Sequence, residues 1–210
     1  MADRKPEDWL REEYFVLLPQ VRRVVQNLET RVRHELLPLT VHLKNFERIV
    51  ITSGSKDCES AIDTLRRAQG ESKVFDPNRG GTYTLTDLRD LAGVRVLAFP
   101  RTRWIEANDL LRAVFSSWES RPMQDPLSKS ILVHKYNGYC SSTDQIRAEL
   151  QISPMLIGQF LDIEHSAIYK PSPELEGAKP MMRDHTNAVF SALQAFDAEL
   201  ERLMQERNST

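Results

Sequence analysis

The sequence has 210 residues, of which 40% are hydrophobic and 28% charged, and its formal net charge is −2. This length and composition fit one globular domain with a modest extension. No apolar run reaches the about 18 residues that a membrane-spanning helix needs. The first residues lack a secretory signal, and Cys58 and Cys140 lack metal-ligand spacing. We therefore expect a cytoplasmic protein with two free thiols.

The N-terminal part of the chain has the pattern of a helix, because apolar residues recur at helical spacing over 6–37. Pro19 interrupts this pattern, which predicts two helices or one helix with a sharp kink. Pro38 predicts its end. The apolar positions are Leu10, Tyr14, Leu17, Val21, Val24, Leu28, Val32 and Leu36.

Strands and helices alternate in the middle of the chain. β-branched residues predict a strand over 47–52, and Ser55 or Asp57 is expected to cap the helix that follows it. The polar, Gly-rich stretch 70–83 predicts a mobile loop. The later elements are an apolar strand over 92–99, a helix over about 104–117, a turn-rich connector over 119–129, and strands near 131–135 and 141–152.

The second of these last strands alternates strictly between apolar and polar side chains over 146–152. This period of two predicts that Glu149 and Gln151 share the polar face, opposite the core. A helix over about 154–169 and a polar loop over 171–180 come next. The last helix carries one apolar stripe, formed by Val189, Leu193, Phe196, Leu200 and Leu203.

Helices that flank a mixed sheet of about five strands predict an α/β or α+β fold. Asp90 lies at the mouth of the strand over 92–99, where the backbone fixes the carboxylate and its tip stays wet, as a magnesium ligand requires. Arg95 interrupts the apolar pattern of the same strand. A phosphate would satisfy a buried guanidinium, and a structural ion pair with a carboxylate would do so equally well. Gly93 would allow another backbone or a ligand to approach closely.

Two further groups of residues suit nucleotide binding. Asn137-Gly138 predicts a turn, after which the ring of Tyr139 could lie against a base and Lys135 could meet a phosphate. The alternative is an ordinary hairpin with a packed tyrosine. The stretch 53–56, which reads Ser-Gly-Ser-Lys, opens a helix in a way that suits a phosphate, although its spacing is not that of a Walker loop.

Taken in order, these segments resemble the synthetase domain of the RelA/SpoT family. Residues 90–96 read Asp-Leu-Ala-Gly-Val-Arg-Val and resemble that family's Asp-Ile-Ala-Gly-Ile-Arg strand. Residues 137–141 resemble its Asn-Gly-Tyr-Arg-Ser turn, 149–152 its Glu-Ile-Gln-Ile strand, and 164–170 its closing helix. The resemblance implies a nucleotidyltransferase-like synthetase fold with a core over 46–172. An N-terminal helical segment over 1–45 and a C-terminal helical extension over 173–210 would flank it.

The family's activity is the transfer of pyrophosphate from ATP to a ribose 3′-hydroxyl, usually of GDP or GTP, with Mg²⁺ as cofactor. The resemblance implies that Asp90 and Glu149 are the catalytic and metal-binding acids. It assigns ATP phosphates to Lys56, Ser60 and Arg95. It assigns the acceptor to Lys135, Asn137, Tyr139 and Gln151, with possible contributions from His165 and Lys170. His165 could instead be a satisfied core histidine.

The sequence departs from the family pattern at three places. Gly54 and Ser55 stand where an arginine is expected before Lys56, Cys140 replaces the arginine after Gly-Tyr, and Thr143 replaces a histidine. Lys73, Arg79 or Arg101 could supply the missing charge.

These departures leave two other functions open. One is a toxin-type relative that modifies the tRNA 3′ end or adenine nucleotides and has an antitoxin partner. The other is a nucleotide-binding module with impaired catalysis. A homo-oligomer is also possible, because the flanking helices are rich in Leu and Val.

Overall fold

The computed structural model describes residues 6–69, 84–125, 129–166 and 179–208. The predicted loop over 70–83 lies outside these residues, as do 167–170, the end of the predicted helix over 154–169, and most of the predicted loop over 171–180.

The described chain alternates between helices and strands, as the sequence predicts. Its elements are α1 (Pro6–Thr40), β1 (Arg48–Ser55), α2 (Cys58–Gln69), β2 (Ala92–Phe99), α3 (Arg101–Val114), β3 (Glu119–Ser120), β4 (Met123–Gln124), β5 (Ile131–Gly138), β6 (Ala148–Pro154), α4 (Met155–Glu164) and α5 (Lys179–Asn208). A 3-10 turn, Leu85–Asp87, precedes β2. None of the described helices is long and apolar enough to span a membrane.

The strands form one mixed sheet in the order β1-β2-β6-β5-β3, and β4 also pairs with β5. β2 runs parallel to β6 and antiparallel to β1, and β5 runs antiparallel to β6. The predicted mixed sheet with flanking helices is therefore confirmed. It has six strands rather than about five, because the segment predicted as a connector contributes the two short strands β3 and β4.

α1 is one uninterrupted helix that contains both Pro19 and Pro38, so the prediction of two helices is wrong. A proline in a helix interior costs about 3 kcal/mol or more. Burying one Val or Leu side chain contributes about 1.5–3 kcal/mol. The stripe of α1 that packs into the core outweighs the cost of Pro19, and its fully or almost fully buried members are Val21, Val24, Leu28, Val32 and Leu36.

The strand boundaries near the predicted turn at Asn137-Gly138 also differ from the prediction. Asn137 and Gly138 lie inside β5 rather than in a turn, and β6 begins only at Ala148. A Cβ added at Gly138 would lie 2.4 Å from Cγ of Trp118, so this glycine provides room for the indole ring. Tertiary packing against Trp118 therefore accounts for Gly138, although local sequence rules assign an Asn-Gly pair to a hairpin turn.

α5 does not bury the apolar stripe that its sequence predicts. Val189, Phe196 and Leu203 are exposed, whereas Leu193 packs against a small cluster of Leu132, Val133 and Ile157. The buried face of α5 instead includes Thr186 and Asp197. Polar contacts hold the helix in this rotation: Gln194 Nε2 donates to Asp125 Oδ2 at 3.3 Å, and Thr102 N donates to Glu201 Oε2 at 3.3 Å.

Candidate active site

The sheet places the two candidate catalytic acids at the same end, where the parallel strands β2 and β6 begin. Asp90 precedes β2 by two residues, and Glu149 is the second residue of β6. Glu149 is the register partner of Gly93 on the parallel strand β2. A Cβ added at Gly93 would meet only ordinary contacts of 3.9 Å, so backbone packing does not require glycine there.

Both acids line a cleft of about 1000 Å³, which we call the main cleft. Its floor is the polar face of the sheet, and α4 and α5 form its far wall. The residues that define it are Lys56, Asp90, Arg95, Lys135, Glu149 and Gln151 on the sheet side, and Asp162, His165, Thr186 and Asn187 on the helical side.

Lys56 lines the main cleft and is held there by contacts to α1 and to the two residues that precede β2. Its ammonium donates a hydrogen bond to the carboxylate of Asp90. Its backbone N donates to Leu91 O at 3.0 Å, and its carbonyl accepts from the hydroxyl of Tyr14 at 2.7 Å. The lysine predicted to meet phosphate and the acid predicted to hold magnesium are therefore direct partners.

A series of hydrogen bonds and one ion pair crosses the main cleft from β2 to α4. Arg95 Nε donates to Gln151 Oε1 at 3.0 Å, and Gln151 Nε2 donates in turn to Glu149. The other end of the Arg95 guanidinium forms an ion pair with Asp162. Arg95 thus has a carboxylate partner and still faces the cleft, with 32% of its side chain exposed.

A second cleft of about 510 Å³, which we call the side cleft, lies beside the same sheet. The residues that define it are Arg31, Trp118, Glu119, Asn137, Tyr139, Cys140 and Arg147. Burial, with a smaller contribution from Asp144, raises the pKa of the Cys140 thiol to about 11. The thiol is therefore neutral at physiological pH and adds no charge to the side cleft.

The predicted acceptor residues are divided between the two clefts. Lys135 and Gln151 line the main cleft, whereas Asn137 and Tyr139 line the side cleft. Asn137 and Glu149 are register partners on β5 and β6, so the two clefts meet at this pair. Asn137 is also fixed by a hydrogen bond from its Nδ2 to Arg89 O at 3.3 Å.

Other predicted site residues lie in different surroundings. Ser60 is in the first turn of α2, where its backbone N donates to the capping carboxylate of Asp57 at 2.9 Å, and it is not among the described residues of the main cleft. His165 is exposed and lines the main cleft, so the alternative of a core histidine is wrong. Lys170 lies outside the described residues.

The predicted substitutes for the missing arginines do not line either cleft where they can be placed. Arg101 lies over the ring of Trp104, at 5.3 Å from its centroid. Lys73 and Arg79 are outside the described residues. Asp162, Arg31 and Arg147 were not assigned to the site from sequence. Asp162 and Arg31 belong to no sequence motif, and the alternation over 146–152 puts Arg147 on the polar face without indicating a role for it.

Within the described part of the chain, no group of three or more His, Cys, Asp or Glu residues could hold a metal ion. The magnesium prediction therefore rests on Asp90 and Glu149 alone. Mg²⁺ is commonly bound by one or two carboxylates together with substrate phosphates, because it prefers oxygen ligands and keeps several waters. Two carboxylates that face one open cleft fit this requirement.

The fold of the chain is similar to crystal structures of alarmone synthetases. Small alarmone synthetase 1 from Bacillus subtilis aligns with a TM-score of 0.68 at 16% identity, over 95% of this chain and 100% of that chain. The same protein bound to its product pppGpp aligns with a TM-score of 0.66 at 17% identity over the same shares.

A GTP pyrophosphokinase family protein from Streptococcus pneumoniae aligns with a TM-score of 0.60 at 21% identity, over 94% of this chain and 95% of that chain. No protein-family model and no curated protein matches the sequence. The similarity in three dimensions nevertheless covers nearly the whole chain, and we conclude that the chain has the fold of a RelA/SpoT-type synthetase domain.

Proposed function

We propose that the protein is a pyrophosphokinase that transfers the β,γ-pyrophosphate of ATP to the 3′-hydroxyl of a guanine nucleotide and releases AMP. The observation that carries this proposal is the convergence of two carboxylates and two cationic groups in the main cleft, namely Asp90, Glu149, Lys56 and Arg95. Crystal structures of the similar Bacillus subtilis protein contain AMPCPP and the product pppGpp, which supports nucleotides as ligands of this fold.

The transfer of a pyrophosphoryl group depends mainly on positioning and on neutralising charge. Lys56 and Arg95 are the residues of the main cleft that we assign to the ATP phosphates. Each is paired with a carboxylate, Lys56 with Asp90 and Arg95 with Asp162. When ATP binds, its phosphate oxygens would replace the carboxylates as hydrogen-bond acceptors for Lys56 and Arg95.

Glu149 is the residue that we assign to proton removal from the acceptor hydroxyl. Its carboxylate accepts a hydrogen bond from Gln151, which fixes its orientation on the polar face of β6. A carboxylate held beside the reacting hydroxyl typically contributes about 10²–10⁴-fold to the rate. Mg²⁺ held by Asp90 and Glu149 would supply charge neutralisation for the phosphate oxygens.

The test is product analysis with ATP labelled in its γ-phosphate and a panel of acceptors. We expect label transfer to GDP or GTP by the wild-type protein. Glu149→Gln keeps the shape of the side chain and removes its basicity, so we expect at least about a 100-fold loss of rate. Glu199→Gln, which changes an exposed carboxylate of α5, should retain wild-type activity.

The same panel contains AMP, ADP and deacylated tRNA. Label on tRNA or on an adenine nucleotide, with none on GDP or GTP, would show that the acceptor is not a guanine nucleotide. The proposed type of reaction would still hold. Absence of label on every acceptor at high magnesium concentration would refute the proposed pyrophosphokinase activity.

A further inference from the structure

The side cleft contains two arginines that come from distant parts of the chain. Arg31 lies on α1, and Arg147 lies directly before β6. Both line the side cleft together with Cys140, the position at which the family resemblance leads us to expect an arginine. Position 140 therefore carries no positive charge, whereas the surrounding side cleft contains two arginines.

Neither arginine has a carboxylate partner within the described ranges. Arg31 Nη2 donates to Val114 O at 3.3 Å, and its guanidinium lies 4.8 Å from the ring centroid of Phe115. Arg147 Nε donates to the hydroxyl of Tyr139 at 3.3 Å, and its guanidinium lies 5.4 Å from the centroid of that ring. These contacts orient both groups without neutralising either charge.

The acid that lines the same cleft is already compensated. Glu119 forms ion pairs with Arg89 at 3.0 Å and with Arg121 at 2.6 Å. Asp144, which lies near Cys140, is paired with Arg23 at 3.2 Å. The side cleft therefore carries two uncompensated positive charges, and guanidinium groups in such a setting recognise phosphate.

The remaining walls suit the other parts of a nucleotide. Tyr139 offers an aromatic face, with 45% of the residue exposed, and about 510 Å³ is within the range of small-molecule sites. A base that stacks on the face of Tyr139 covered by Arg147 would displace this guanidinium and leave it able to meet the phosphates. Asn137 lies where the side cleft meets Glu149, so a ribose there would be next to the catalytic acid.

We propose that Arg31 and Arg147 bind the phosphate groups of the acceptor nucleotide and replace the arginine that is absent at Cys140. This assignment rests on the proposed function, because it takes the side cleft as the acceptor site. The ligand class is a purine nucleoside 5′-diphosphate or triphosphate. Its affinity should therefore increase with the number of phosphates.

The test is calorimetric binding of guanosine, GMP, GDP and ADP to the wild-type protein and to Arg31→Ala and Arg147→Ala. Hydrogen bonds to charged groups are worth about 1.5–3 kcal/mol, so we expect each substitution to lower the affinity for GDP or ADP by about tenfold or more. Guanosine should bind the variants as it binds the wild type. Arg147→Lys should recover part of the loss, because it restores the charge.

Two controls separate this effect from unfolding or from damage to the main cleft. Arg22→Ala removes an exposed arginine of the same helix that does not line the side cleft, and it should bind as the wild type does. All variants should bind a non-hydrolysable ATP analogue with unchanged affinity. Equal loss of guanosine and GDP, unchanged GDP and ADP affinity in both alanine variants, or no binding of GDP or ADP to the wild type would overturn the assignment.

The outcomes also separate this assignment from the proposed function. Pyrophosphate transfer by the wild type, together with unchanged acceptor affinity in both variants, would keep the function and reject the role of the two arginines. Phosphate-dependent binding that both variants lose, without product from any acceptor, would support their role and reject the pyrophosphokinase.

Discussion

Arg95 on β2 forms an ion pair with Asp162 on α4 across the main cleft, so the cation that we assign to ATP phosphate has a carboxylate at one of its nitrogens. A phosphate that binds at the same nitrogen would displace Asp162. We therefore expect Asp162 to compete with ATP for Arg95.

We expect Asp162→Ala to bind a non-hydrolysable ATP analogue more tightly than the wild type. Half of the Asp162 side chain is exposed, and exposed ion pairs are worth about 0.2–1 kcal/mol, which corresponds to a gain of at most about fivefold. Asp109→Ala, which removes an exposed acid paired with Arg112 on α3, controls for the change in net charge. Weaker binding by Asp162→Ala would mean that Asp162 positions Arg95 and does not compete with phosphate.

Gln151 links Arg95, which we assign to ATP phosphate, to Glu149, which we assign to proton removal, because it accepts a hydrogen bond from Arg95 and donates one to Glu149. We expect Gln151→Ala to lower kcat by about tenfold or more, since two hydrogen bonds to charged groups are lost. The KM for ATP should rise much less, because Lys56 is untouched. A large rise in the KM for the acceptor with unchanged kcat would instead support the original prediction that Gln151 binds the acceptor.

Gly138 gives a test of packing that is independent of catalysis. Its added Cβ would lie 2.4 Å from Trp118, whose ring is held 4.8 Å from that of Phe115. We expect Gly138→Ala to lower the free energy of unfolding by about 1–3 kcal/mol, as overpacking does. Gly54→Ala meets nothing within 4 Å and should stay within about 0.5 kcal/mol of the wild type in urea denaturation.

We expect His134 to make the stability of the fold depend on pH. Its ring is half-buried at 5.2 Å from Trp104, and burial, assisted by the charge of Arg112, lowers its pKa from the ordinary value of 6.5. Between pH 6.5 and the lower pKa of the native state, the unfolded state binds more protons at His134 than the native state does. The contribution of His134 to stability is therefore fully present above pH 6.5 and is lost as the pH falls through the native pKa.

We expect the free energy of unfolding, measured in urea, to decrease from about pH 7.5 to about pH 5.5 more steeply in the wild type than in His134→Phe, which keeps an aromatic ring beside Trp104. Parallel pH dependence in the two proteins would show that His134 titrates alike in the native and unfolded states.

The parts of the fold that depend on local patterns could be predicted from sequence. Strict alternation over 146–152 placed Leu150 and Ile152 in the core and Glu149 on the polar face, and the structure agrees. The central strand β2 has the predicted bounds. The first prediction rests on the period of two, which a strand imposes on its own side chains, and the second rests on a continuous apolar run, which is typical of a strand buried on both faces.

The parts that depend on tertiary packing could not be predicted in this way. Pro19 breaks a local rule, but the packed stripe of α1 overrides it. The pairing of Arg95 with Asp162 depends on where α4 returns across the sheet, and the side cleft depends on α1 bringing Arg31 to Tyr139. No periodicity or motif spacing carries that information.

The parallel pairing of β2 with β6 ties the assembly of the site to the formation of the core. Glu149 faces the cleft only while Leu150 faces the interior, and a slip of β6 by one residue would exchange the two. A misregistered chain would thus lose apolar burial and, in the same step, the position of Glu149 in the main cleft. Quality control that recognises exposed leucine would therefore also remove molecules in which the residue that we assign to proton removal faces the wrong side of the sheet.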